Sequence, residues 1–289
     1  MSSAPYDRSA EDLGNVVELG HVNVRVPDQR LATAFYISGL GLTRDPYLMT
    51  GIDNMWANVG VSQFHLPTGA PQVVRGVTGL VLPDLKALAA RLERVGSVLT
   101  GTQFRFEVAA EHVEAVCPWG NRIRCHAPDA ARWGRVQLGM PYVELAVPRG
   151  STAGIARFYR SLLGAVAGAE GGVARVRIAA DRYLLFRETD AAAAPFDGHH
   201  VQISLADFSG PHRRLGERGL ITEESNQHQY RFQDIVDPES GAVLFTLEHE
   251  VRSMTHPMFA RPLVNRNPAI TNTSYAPGHE ALAWSIGEA

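Results

Sequence analysis

Two cysteines in 289 residues, Cys117 and Cys125, are too few for a disulfide framework. No stretch reaches the roughly 18–20 apolar residues of a membrane-spanning helix. The opening Met-Ser-Ser-Ala-Pro-Tyr-Asp-Arg has no apolar core, so no secretory signal is expected and the expected compartment is the reducing cytoplasm. An excess of one charge is lacking too. Lys and Arg number 27 against 30 Asp and Glu, a net charge of −3, and the pI is near 6.4. That balance offers no electrostatic footprint for nucleic acid or acidic lipid. Gly-rich phosphate loops, paired CxxC motifs and a Ser-His-Asp order are missing as well. With 45% apolar and 20% charged residues, the chain reads as globular and long enough for one large domain or two ordinary ones.

What is present is a repeat. The stretch His21-Val-Asn-Val-Arg-Val-Pro-Asp28 has histidine at position one, apolar residues at two, four and six, and aspartate at eight. His200-Val-Gln-Ile-Ser-Leu-Ala-Asp207 repeats that pattern. Two weaker copies, Val77 to Asp84 and Tyr142 to Arg149, lie between, so the starts are 56, 65 and 58 residues apart. Alternation of Val22, Val24 and Val26 with His21, Asn23 and Arg25 predicts a strand with one buried face. Its polar face must be solvated or line a cavity. Position one of the four copies forms a column reading His, Val, Tyr, His.

Each phrase leads into a helical pattern and then further strands. Helices are predicted over 29–38, over 85–95, around Ile155 to Tyr159, and over 211–218, each stopped by a nearby glycine. Strands are predicted near 55–59, 62–66, 103–108, 111–116, 122–126, 173–179, 182–187, 228–236 and 242–250. The odd units share Phe35-Tyr36 before Leu40-Gly41 and Phe158-Tyr159 before Leu163-Gly164. A duplicated pair of units is implied. The expected divisions are an arm over 1–15, domains over 16–130 and 136–252, and a covering tail over 253–289.

These motifs, with the turns Pro118-Trp-Gly-Asn121 and Asp237-Pro-Glu-Ser-Gly241, resemble the vicinal oxygen chelate superfamily over roughly residues 16–250. That group includes glyoxalase I, extradiol ring-cleaving dioxygenases, and bleomycin- and fosfomycin-resistance proteins. The resemblance implies an α+β fold of four βαβββ modules in two domains, with curved mixed sheets forming cups. It also implies that metal ligands come from the first residue of an opening strand and from a closing strand.

On that pattern His21 and His200 are the ligands of the opening column, since Val77 cannot ligate and Tyr142 is a poor candidate. On the closing strand of unit two, Arg124 would repel a cation. In unit four, Phe245 and Leu247 suit the core, so Thr246 and Glu248 should face the cup. Thr246 falls nearest the family's usual glutamate position, and Glu248 lies one pleat further. The expected metal set is His21, His200 and Glu248, which requires units one and four to share a cup. The extradiol arrangement would instead use Tyr142 or Glu144 with His200 and Glu248. Gln63 and His65 are candidate fourth ligands.

Two histidines and a carboxylate suit Fe(II) foremost, and also Zn, Mn or Ni. His228 and Tyr230 are the catalytic candidates, for proton transfer and for a hydrogen bond to a phenolate. Glu144, Asn23 and Gln202 are the substrate-binding candidates. Buried without a partner, Glu144 would be costly, so Arg25 or Arg124 is expected beside it unless it is functional. His249 and His256 are expected to be structural.

The leading expectation is a metal-dependent extradiol-type dioxygenase acting on a small aromatic or vicinal-diol substrate. The alternatives are a glyoxalase-like isomerase or lyase and a metal-free drug-binding protein. A small-molecule partner is expected, and a homo-oligomer is left open.

Overall fold

The alternation of the first phrase decides which way its strand faces. In the computed structural model, which describes residues 8–48, 51–192 and 194–267, β1 (Val16–Asn23) sends Val16, Leu19 and Val22 into one core with Phe35 and Tyr36. His21 and Asn23 face the other way. Asp28 then accepts from the backbone N–H groups of Arg30 and Leu31, satisfying donors that a helix start leaves open. Helix α1 (Gln29–Ala32) follows and continues as a π-helical stretch, Thr33–Gly39.

Unit one finishes with β2 (Thr43–Arg44), β3 (Asn54–Val59) and β4 (Ser62–Pro67). Unit two comprises β5 (Gly76–Val81), α2 (Leu85–Val95), β6 (Arg105–Val108), β7 (His112–Val116) and β8 (Arg122–His126). The short α3 (Ala130–Trp133) leads to unit three. There β9 (Gly139–Pro148) precedes α4 (Thr152–Phe158), whose π-helical continuation is Tyr159–Leu163. The unit closes with β10 (Ala167–Glu170), β11 (Val173–Ala179) and β12 (Arg182–Thr189). Unit four has β13 (His200–Leu205), α5 (Ser209–Gly216), β14 (Ile221–Asn226), β15 (Gln229–Val236) and β16 (Val243–Ser253). The α+β architecture of four βαβββ units is therefore the one formed.

Three of these strands, β2, β10 and β14, leave no apolar alternation in the sequence. All three are sheet edges, and the Ala-Gly-Ala-Glu of β10 and the Glu-Glu-Ser of β14 suit an edge exposed to water.

The strands form two eight-stranded mixed sheets, ordered β14-β15-β16-β13-β1-β4-β3-β2 and β10-β11-β12-β9-β5-β8-β7-β6. Unit one thus shares a sheet with unit four, and unit two with unit three. The sequence halves 16–130 and 136–252 each give one unit to either sheet. At the first seam β1 runs antiparallel to β13, with His21 opposite Gln202 and Asn23 opposite His200. A register shift lies between Leu19 and His21. Gly20 stands there, and a Cβ on it would sit 1.7 Å from the Gln202 Oε1. A larger residue at this bulge would have to turn the Gln202 side chain aside.

The described residues after β16 bond to the β2–β3 end of the first sheet. Asn58 donates to the Val264 carbonyl at 2.9 Å, the Gly60 amide donates to Asn265 at 3.0 Å, and the Arg266 amide to Thr43 Oγ1 at 2.8 Å. The expected arm and tail are only partly covered, since residues 1–7 and 268–289 lie outside the described residues. Among the described residues, no helix is long and apolar enough to cross a membrane.

His249 belongs to the core, not the cup. Its Nε2 meets the Tyr159 hydroxyl at 2.6 Å, its Nδ1 lies 2.8 Å from the Leu247 carbonyl, and its ring stacks on Phe232 at 4.3 Å. Burial above all pushes its pKa down to about 3. His126, beside the Tyr142 hydroxyl at 3.0 Å, is pushed down to about 4, again mainly by burial. Unfolded, both take up a proton near the ordinary value of about 6.5. Between the folded and unfolded values the unfolded chain binds more protons. Stability present above that ordinary value is therefore lost as pH falls. The expected loss is about 1 kcal/mol per pH unit for each histidine. Urea midpoints measured from roughly pH 7 to pH 5 should fall, and His249→Phe should flatten the slope. A midpoint that does not move would refute this account.

Candidate metal centre

His21 and His200 stand 179 residues apart in sequence, yet their Nε2 atoms face one another at 3.4 Å. Both rings are buried. The Glu250 Oε2 lies 3.5 Å from the His200 Nε2, and one ligand atom from each of the three residues falls within 4.8 Å of the others. Nitrogens each about 2.0–2.1 Å from a common ion stand about 2.9–3.4 Å apart at ordinary ligand angles. The histidine pair has that spacing. Among the described residues, no second group of His, Cys, Asp or Glu converges in this way. The equivalent positions of the other sheet hold Val77 and Tyr142, and Arg124 there is bound by Glu114 at 2.9 Å.

The carboxylate that converges is Glu250, where the sequence pointed to Glu248. Phe245, Leu247 and His249 are buried on the core side, so Glu248 and Glu250 share the opposite face and differ in stagger. β16 sets Glu248 beside His200 and Glu250 beside Gln202, and Gln202 is the residue opposite His21. The pleat that reaches both imidazoles is therefore the later one. Glu248 lies behind the ring, its Oε1 3.3 Å from the His200 Nδ1. It also accepts from Gln233 at 3.1 Å and pairs with Arg231. A carboxylate at the second ring nitrogen of a ligating histidine fixes its orientation and tautomer.

The electrostatics suit a cation, with one counter-current. Burial above all holds His21 neutral, well below the ordinary imidazole value, although Glu250 pulls the other way. Burial alone would raise the Glu250 carboxyl, but His200 and the Arg252 guanidinium outweigh it and hold the group ionised. Arg231 and Arg252 contact the Glu250 oxygens at 2.7 and 2.6 Å, so a cation held there would share this carboxylate with two guanidiniums. The His65 ring lies edge-on to His21 at 5.5 Å. Its buried Nε2 has no hydrogen-bond partner among the described residues, and its pKa is pushed down to about 3, mainly by burial.

The remaining candidates divide. Asn23 and Gln202 are buried beside the histidines, with the Gln202 Nε2 donating to Ser204 at 3.1 Å. Glu144 lies on the other sheet and is paired with Arg187 at 2.9 Å, not with Arg25 or Arg124. His228 sits in the β14–β15 turn with its Nδ1 3.2 Å from Thr255 Oγ1. Tyr230 points into the core, its ring against Phe208 and His212. The structure does not bring either of these two to the histidine pair. Tyr230 shares parity with the buried Phe232, so the cup-facing residues of β15 are Arg231 and Gln233. That parity was visible in the sequence and was the signal for Arg231. Thr246 donates to Asp234 at 3.0 Å and is absent from the convergent set.

Arg231 holds both Glu248 and Glu250, and its removal leaves the largely buried Glu248 without a guanidinium beside Glu250, which keeps only Arg252. Arg231→Leu is expected to destabilise the protein by about 3 kcal/mol or more, read as a fall in denaturant midpoint at neutral pH. A change below about 1 kcal/mol, the ordinary worth of a surface ion pair, would contradict that role.

No protein-family model matches the chain, and no curated protein sequence does. Solved structures do resemble it. A Bacillus subtilis protein described as a "putative dioxygenase" is 15% identical, with a TM-score of 0.55 over 86% of this chain and 88% of that one. Glyoxalase I from Zea mays is 15% identical, with a TM-score of 0.54 over 82% of this chain and 92% of its own.

Proposed function

We propose that this chain, which has the fold of the vicinal oxygen chelate superfamily, is a metal-dependent enzyme that holds a divalent ion through His21, His200 and Glu250. The reading favoured is a dioxygenase of the extradiol type with Fe(II), acting on a small aromatic or vicinal-diol substrate in the cytoplasm. The observation that carries it is the pair of buried Nε2 atoms at 3.4 Å with a carboxylate beside them. When bound by two imidazoles and one carboxylate, such an ion supplies open positions for adjacent oxygen atoms and Lewis acidity.

The chain's own residues have separate tasks in this reading. Burial keeps the His21 lone pair free of a proton. Glu248 orients the His200 ring through its Nδ1. Arg231 ties Glu248 to Glu250, so the two carboxylates are fixed together. Asn23 and Gln202 line the floor where substrate oxygens would lie. His65 is the third imidazole at the site, in place of the distant His228.

A second reading, a glyoxalase-like isomerase or lyase with Zn, Mn or Ni, draws support from Gln63. That residue is paired directly with His21 across β1 and β4. The guanidiniums on Glu250 are the feature that favours a metal-free binding protein.

Metal analysis of anaerobically purified protein separates these. The expected result is about one divalent ion per chain, lost in His200→Ala and Glu250→Ala. Glu248→Ala should keep the site with affinity weakened about 10- to 100-fold. Iron together with oxygen consumption supports the dioxygenase, and zinc or nickel without it supports the isomerase. A protein that takes up no stoichiometric metal on reconstitution would falsify both.

A further inference from the structure

The segment after β16 reaches the site through one side chain. Arg261 places its guanidinium 2.6 Å from the Asp45 Oδ2, and the Asp45 side chain is 0% exposed. Asp45 also receives the backbone N–H of Tyr47 at 2.8 Å and of Leu48 at 3.1 Å on its other oxygen. On Oδ2 it accepts a further bond from the Gln63 Nε2 at 3.0 Å. The second hydrogen of that amide goes to the Asn58 Oδ1 at 2.7 Å.

Donor and acceptor chemistry makes this arrangement directional. A carboxylate paired with arginine can only accept, and a primary amide has two N–H donors on one end and an acceptor oxygen on the other. Asp45 therefore demands the nitrogen end of Gln63, and both of its hydrogens are used. The Gln63 oxygen is the end not tied to Asp45 or Asn58. Gln63 pairs with His21 in the sheet, and both line a cavity of about 20 Å³ that Met258 and Arg261 help to close. That is room for a water-sized group beside His21.

We propose that Arg261 is a positioning residue. Through Asp45 it fixes the Gln63 amide with its oxygen, and not its nitrogen, presented to the cavity beside His21. There the oxygen serves a cation held by His21, His200 and Glu250, or a water on that cation. This rests on the metal reading above. Without Arg261, Asp45 loses its cationic partner, and only the Tyr47 and Leu48 amides and the Asn58 oxygen remain to hold the carboxylate and the Gln63 amide, so the orientation is weakened. An N–H end facing the cavity would oppose a cation.

The test is Zn²⁺ affinity of the metal-stripped full chain, measured by chelator competition. Arg261→Met and Gln63→Ala are each expected to weaken binding about 10-fold, while Arg261→Lys, which keeps the ion pair, stays near wild type. The double variant Arg261→Met/Gln63→Ala should be no weaker than Gln63→Ala alone, because the first residue acts through the second. Asp45→Asn is the near-isosteric check. Its amide can donate to the Gln63 oxygen, so it should weaken Zn²⁺ even if Arg261→Met does not fold. Losses that multiply in the double variant overturn the proposal, as does an Asp45→Asn protein that binds Zn²⁺ like wild type. If wild type itself takes up no metal, the functional reading fails first. If wild type binds and Arg261→Met binds equally, only this inference falls.

Discussion

The seam between β1 and β13 is the contact on which the rest depends. It is an antiparallel pairing of two strands 179 residues apart at the histidines. Each partner brings a parallel neighbour, β4 on one side and β16 on the other. Once the seam is closed, four polar faces line one concave surface. His21, Gln63, His200 and Glu250 become neighbours only through it. Gly20 lies at the bulge in that seam, where a side chain would have to displace the end of the Gln202 side chain.

The division of each strand into two faces does most of the remaining chemistry. On β16, Leu247, His249 and Val251 join the core while Glu248, Glu250 and Arg252 stand in the cup. A histidine on either face meets a different fate. His249 is spent on Tyr159 and Phe232, whereas His200 is left with one nitrogen towards Glu248 and the other towards His21. The charges follow the same rule. Buried carboxylates in the cup are costly unless paired, and Arg231, Arg252 and Arg261 meet them from β15, β16 and the tail.

Most of the fold was legible because the opening phrase is written four times and the core faces alternate cleanly. The histidine pair was legible for the same reason, as position one of copies one and four. Glu250 was not, because alternation reveals which face a residue takes but not how far one strand slides along another. Glu248 and Glu250 are identical in parity and differ only in stagger. His228 and Tyr230 were misplaced by following a resemblance in spacing where the buried Phe232 already argued for the opposite face. The edge strands β2, β10 and β14 were invisible, since β10 and β14 are largely exposed to water, which imposes no pattern, and β2 is only two residues long. Arg261 lies in a segment without periodicity, and its partner Asp45 sits in a loop some two hundred residues earlier, so only the folded chain connects them.

The interleaving of units also orders assembly in time. A chain emerging from its N-terminus can pair β5 with β9 and complete the second sheet by Thr189. β1 must wait with its inner edge unsatisfied until β13 appears, and the first sheet ends only at Ser253. Closing so long a loop is slow and leaves a strand edge open to wrong partners meanwhile. The histidine pair is thus among the last features to form, and His21, His200 and Glu250 come together only once β16 has been made. Their convergence doubles as a record of finished folding.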